Sequence, residues 1–214
     1  MGRANNLTFD GPAGRIEAAL RHTPVPRAAA VIAHPHPLHG GTLHNPVVFH
    51  SDRELNRSGF VTLRFNFRGA GRSEGTHDDG TGEVEDLAAA VAWLRGVVFD
   101  VPLLLAGFSF GSVCAIRYAV NDPGIVGVVA IGLPVARYAI PGLGDLHRPL
   151  AVVQGELDEY GGPEEVRRAI DTLEPPGRLL TVDGATHLFP DAAALAGKRV
   201  ALAALRIVAE HAAG

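Results

Sequence analysis

Ser109, Asp158 and His187 are the residues whose types and positions along the 214-residue chain could do joint chemistry. Ser109 is the centre of GFSFG, Gly107 to Gly111, a G-x-S-x-G placed where the apolar run LLLA ends and a helical pattern begins. A serine there occupies a sharp, strained turn, and glycines two residues to either side let strand and helix pass closely without a Cβ clash. Its hydroxyl becomes a nucleophile only with a base to take its proton and an acid to hold that base in the right tautomer. Asp158 follows the strand AVVQ within GELDEY, and His187 follows the strand LLTV within DGATHLF. Both then lie in loops beyond strand C-terminal ends, where ligand sites of open α/β sheets gather. Singly, a loop carboxylate or loop histidine is ordinarily solvated surface. Their joint placement with Ser109 points to acyl transfer. GELDEY also contains Glu156 and Glu159, and sequence alone does not show which carboxylate faces His187.

The elements that must position these residues alternate between strand-length apolar runs and helical patterns, which predicts an α/β layer with a mainly parallel sheet. Asn6 to Asp10 and Arg15 to Arg21, joined by GPAG, predict an antiparallel hairpin at one edge. Further strands are expected at Arg27 to Ala33, Phe60 to Phe65, Val101 to Ala106, Ile125 to Gly132, Leu150 to Gln154 and Arg178 to Val182. Helices are expected at Pro46 to Arg57, Glu83 to Arg95, Phe110 to Val120, Pro163 to Leu173 and Ala192 to His211. Gly111, Ala115 and Ala119 put a small-residue stripe on one face of the helix after Ser109, so that it can lie tightly on the sheet. No repeat or low-complexity linker divides the chain, and residues 1–214 are expected to form one domain.

Three motifs in order, HPHPLHGG from His34, RFNFRGAGRS from Arg64 and GFSFG from Gly107, carry a family likeness. With them the chain resembles the α/β-hydrolase superfamily over nearly its whole length, and more narrowly the small cap-less bacterial hydrolases akin to dienelactone hydrolases. The resemblance implies an α/β-hydrolase fold with helices on both faces, no cap domain, and the order Ser109, Asp158, His187 for the triad. It places the acid at the aspartate of G-E-x-D. Dienelactone hydrolases usually carry cysteine as nucleophile, so their substrate does not carry over to Ser109. An oxyanion hole needs two backbone N–H groups, one from the residue after the nucleophile, Phe110, and one from the loop after the early central strand. Pro35 and Pro37 have no N–H, which leaves His36 and Leu38, and the family pattern favours His36. Arg68, Gly69, Gly71 and Ser73 are expected to form a scaffolding turn. A dinucleotide fingerprint there fails, because Glu74 stands where a third small residue is required and no helix pattern follows.

Composition excludes other classes. The chain is 47% hydrophobic and 20% charged, as ordinary globular domains are. Cys114 is the single cysteine, expected to be a small core residue, and one thiol closes no disulfide. A net charge of −4 leaves no basic excess for nucleic acid. The apolar stretch from Ala192 to Ala209 is broken by Lys198, Arg199 and Arg206, so no membrane span is expected. The N-terminus shows no signal-peptide pattern, which predicts a cytoplasmic protein. His34, His36, His39 and His44 lie in a loop stiffened by two prolines and lacking Cys or carboxylate, so neither metal nor cofactor is expected. The expected partner is a small-molecule acyl substrate, with a homodimer left open. Peptidase or cofactor-free perhydrolase chemistry on the same scaffold, and a non-catalytic binding module, are the alternatives. Only Leu133 to Arg148 is available to cover the site. A shallow pocket is therefore expected, with Tyr138, Ile140 and Leu143 near it and selectivity from that loop, Leu38 and Phe110.

Overall fold

Strands with apolar residues at consecutive positions need cover on both faces, and the computed structural model supplies it. It describes residues 4–213; residues 1–3, where the stretch expected to carry no signal begins, and residue 214 lie outside the described residues. In chain order the elements are β1 (Ala4–Gly11), β2 (Gly14–Arg21), β3 (Ala28–Ala33), a 3₁₀ turn (Pro37–His39), α1 (Pro46–Arg57), β4 (Phe60–Phe65) and α2 (Thr81–Arg95). There follow β5 (Leu103–Phe108), α3 (Phe110–Asn121), β6 (Ile125–Ile131), β7 (Leu150–Gly155), α4 (Pro163–Ile170), β8 (Arg178–Val182) and α5 (Ala193–His211). The sheet order is β1-β2-β4-β3-β5-β6-β7-β8. β3 to β8 are parallel, while β2 pairs antiparallel with β1 and β4, which gives the expected edge hairpin.

Alternate strand residues point to opposite faces. Val31, Leu105 and Val128 therefore face α2, α3 and α4 through Leu87, Val91, Ile116 and Ile170. Ile32, Leu104 and Val129 face α1 and α5 through Val48, Leu55, Val200 and Ile207. No helix among the described residues is long and apolar enough to cross a membrane.

Capping rather than apolar periodicity sets the ends that differ from expectation. α2 begins two residues before Glu83, because Asp78 Oδ2 accepts the Gly82 N–H at 3.0 Å and the Glu83 carboxylate accepts those of Asp78 and Gly80 at 2.9 and 2.8 Å. α4 stops at Ile170 instead of Leu173. The Ile170 carbonyl takes the N–H groups of Leu173 and Gly177, and Pro175 and Pro176 follow. Leu173 still packs into the core. β5 starts after Pro102 and keeps Gly107 and Phe108 in its ladder, opposite Ala130 and Ile131.

The RFNFRGAGRS segment is scaffold, held by its side chains. Arg64 donates to the Leu43 carbonyl at 2.6 Å, and Asn66 Oδ1 accepts the Leu43 N–H at 2.7 Å. β4 thus grips the exit of the HPHPLHGG loop. Arg68 pairs with Asp86 of α2 at 2.9 Å, and Ser73 donates to the Asn66 carbonyl at 2.7 Å.

Candidate active site

β5 and α3 meet at Ser109 through two glycines. A Cβ on Gly107 would stand 2.2 Å from the Gly111 carbonyl oxygen, and one on Gly111 would stand 2.6 Å from that of His34. Only with hydrogen at both positions can α3 start against the ends of β5 and β3. Ala115 and Ala119, fully buried, continue that close packing. Between the glycines Ser109 takes φ +52° and ψ −116°, a conformation costing about 1–3 kcal/mol. Its N–H donates to the Ile131 carbonyl at 2.8 Å, so β6 helps to hold the strained turn.

Ser109 Oγ lies 2.9 Å from His187 Nε2. On the other side of the ring, Nδ1 lies 3.0 Å from each oxygen of Asp158, which selects the tautomer with the proton on Nδ1. Asp158 is buried and its charge is met by the Gln154 side-chain amide and the Tyr160 N–H, each at 2.8 Å. The GELDEY carboxylates therefore divide their tasks. Glu156 accepts the Gly184 N–H at 2.7 Å, and Glu159 accepts the backbone N–H of His187 at 3.1 Å. Of the three, Asp158 alone meets the imidazole. Tyr160 stacks on that ring at 4.2 Å with an 18° interplanar angle, and Gly132 clears its edge, since a Cβ there would stand 3.2 Å from His187 Cε1.

Among the described residues, the backbone N–H groups of His36 and Phe110 donate to no protein acceptor. Phe110 opens α3, where helix N–H groups lack intrahelical partners. His36 caps the 3₁₀ turn, and its carbonyl takes the N–H groups of His39 and Gly41, both at 3.1 Å. The loop is pinned by His34, whose Nδ1 lies 2.6 Å from the Pro35 carbonyl and whose Nε2 accepts the Phe67 N–H at 3.0 Å. Burial pushes this imidazole down to about 4.

A pH-dependent stability follows from that buried imidazole. The unfolded chain takes up the proton near 6.5 and the folded chain only near 4, so the unfolded state binds more protons between those values. Stability is lost as pH falls through this window. From pH 6.5 to 5 the His34 contribution amounts to about 2 kcal/mol. Urea midpoints measured at pH 7 and pH 5 should differ less in His34→Asn than in the parent protein. An equal fall in both would remove His34 as the cause.

The cleft over Ser109 has a volume of about 790 Å³, within the range of sites for small molecules. Tyr138 lines it, 54% exposed, together with Ala139 and Pro141. Ile140 and Leu143 instead turn into the core, and Leu38 is 70% exposed and outside the cleft wall. The 3₁₀ turn leaves Leu38 facing solvent, beside the lining residues His36 and His39. Cys114, buried as expected, also reaches the wall, and burial pushes its thiol up. His77, which lines the cleft against His36 and Phe110, was not anticipated. It sits in a polar, glycine-dense loop with no periodicity to point it anywhere. His36, His39 and His77 come together there, with His36 4.5 Å from His39 and 4.7 Å from His77 between ring centres. His77 Nδ1 is 2.7 Å from Glu83, at ion-pair distance but without hydrogen-bond geometry. Burial and the two neighbouring imidazoles hold His36 below the usual histidine range.

The family model Hydrolase_4, described as serine aminopeptidase S33, matches residues 26–138, a span that includes Ser109 and ends before Asp158 and His187. The chain belongs to this family and to the α/β-hydrolase superfamily. An uncharacterized protein of Rickettsia prowazekii (strain Madrid E) is 35% identical over 193 residues, covering 86% of this chain and 81% of that one. An alpha-beta serine hydrolase homologue from Coxiella burnetii has a TM-score of 0.86 at 31% identity, covering 94% of this chain and 97% of its own. An α/β serine hydrolase without lid from Xanthomonas campestris has a TM-score of 0.86 at 32% identity, covering 95% and 94%. The narrower likeness to dienelactone hydrolases rests on the sequence motifs alone.

Proposed function

We propose that the protein is a serine hydrolase that cleaves an ester, thioester or related acyl bond of a small substrate through an acyl-enzyme. The observation that carries this reading is the hydrogen-bond chain from Ser109 Oγ through His187 to buried Asp158 on the wall of the cleft. His187 Nε2 takes the Ser109 proton as Oγ attacks the carbonyl carbon. The resulting oxyanion accepts the N–H groups of His36 and Phe110. Asp158 holds the imidazolium through Nδ1–H until Nε2–H gives its proton to the departing alcohol or thiol. A water molecule then loses a proton to Nε2 and attacks the acyl carbon, and Ser109 recovers its proton as the acid leaves.

The test is covalent. A fluorophosphonate probe should label the protein, with the adduct mapped by mass spectrometry to the peptide containing Ser109. Labelling at another serine, or failure to label while ester hydrolysis proceeds, would refute this assignment.

A further inference from the structure

We propose that the cleft selects substrates bearing a carboxylate remote from the scissile bond, and that Arg117 binds it. The inference rests on the serine hydrolase reading and names the class of substrate for that same site. Phe110, Val113, Cys114 and Arg117 follow i, i+3, i+4, i+7 spacing, so they share one face of α3, and all four line the cleft. The first three form an apolar wall beginning next to Ser109, and the fourth closes it with a cation.

Arg117 is the arginine that lines the cleft, and its donors are not taken up by a carboxylate as those of seven other arginines are. Arg21, Arg57, Arg64, Arg68, Arg72, Arg95 and Arg178 each pair with a carboxylate. Arg117 forms no ion pair among the described residues. Its guanidinium is fixed by one bond, Nη1 to the Gly80 carbonyl at 2.9 Å, across the cleft wall. A guanidinium has five N–H donors in a planar fork, so an anchored side chain retains donors for a carboxylate, which it can take in bidentate fashion. The anchor also removes part of the side-chain entropy cost of binding.

The other ionisable groups on the wall do not cancel this charge. Asp79 is fully exposed, and its Oδ1 is 3.5 Å from His77 Nε2, so water and that imidazole screen it. His36, His39, His77, His187, the phenols of Tyr138 and Tyr160, and the Cys114 thiol, whose raised pKa keeps it neutral, complete the set. Arg117 is the one permanent cation among the lining residues. Ser109 and Arg117 are eight positions apart, roughly 12 Å along the helix, and side chains lean back toward the N-terminus. The carboxylate thus belongs several carbons from the reacting carbonyl, with the intervening chain on Phe110, Val113 and Cys114.

The experiment uses the whole protein and two series of esters, followed by acid release. One series carries a terminal carboxylate on the acyl chain, as p-nitrophenyl monoesters from succinate to suberate. The other carries it on the alcohol, as butyrate esters of ω-hydroxyalkanoates. Each has a neutral carboxamide of equal length. At one chain length in at least one series, kcat/KM for the acid should exceed that for the amide by about 10- to 100-fold. Arg117→Gln should bring that ratio close to one, and Arg117→Lys should keep more of it than Gln does, with circular dichroism confirming that each variant is folded. Equal kcat/KM for acids and amides throughout both series, or a ratio unchanged in Arg117→Gln, overturns the inference and leaves the hydrolase reading intact. Failure to cleave any ester overturns both.

Discussion

Ser109→Ala is expected to lower kcat for ester hydrolysis by about 10⁶-fold and to abolish fluorophosphonate labelling. Ser109 Oγ is the hydroxyl that His187 Nε2 faces at 2.9 Å, so its removal leaves the base with nothing to activate but water. The backbone donors of His36 and Phe110 survive, and through them a residual acceleration of about 10³ to 10⁴ over the uncatalysed reaction. Alanine bears the positive φ of this position about as poorly as serine, and the Ile131 carbonyl still receives the backbone N–H. The melting temperature should therefore change little. Stopped-assay kinetics alongside a thermal melt check both parts, and a folded variant with wild-type turnover would sink the assignment.

Asp158→Asn should cost about 10⁴ in kcat, and it should do so while Glu156→Gln and Glu159→Gln remain milder. An asparagine amide can rotate to give an N–H to His187 Nδ1. The ring proton then moves to Nε2, where it blocks acceptance from Ser109. Glu156 and Glu159 hold backbone N–H groups instead, at Gly184 and at His187 itself, so each neutral amide gives up about 1–2 kcal/mol of positioning and no tautomer. Rates of the three variants on one activated ester decide the matter. A larger loss from either glutamate than from Asp158 would move the acid elsewhere in the loop.

Much of this molecule is determined locally and is therefore legible in the sequence. Pro46, with Asn45 Oδ1 accepting the Val47 N–H, starts α1 within a few residues of itself, and the apolar runs of β4 and β8 identify their own limits. The glycines around Ser109 announce a close strand-to-helix passage, and the loops carrying Asp158 and His187 follow from strand ends. What the sequence left open depends on contacts across long separations. Ser109 and His187 meet over 78 positions, and nothing local decides that Asp158 rather than Glu156 or Glu159 turns toward the ring. That choice comes from Gln154 on β7 and the Tyr160 N–H, which fix the carboxylate between them. His77 and Arg117 enter the cleft because the loop before α2 folds over α3, where the Gly80 carbonyl captures the guanidinium. Leu38 shows the converse. Its place in the sequence beside His36 left its direction open, and a single 3₁₀ turn, closed by the His36 and Pro37 carbonyls, turns its side chain toward water. Backbone periodicity and caps act over a few residues, whereas the direction of a loop side chain is decided by whatever the fold brings against it.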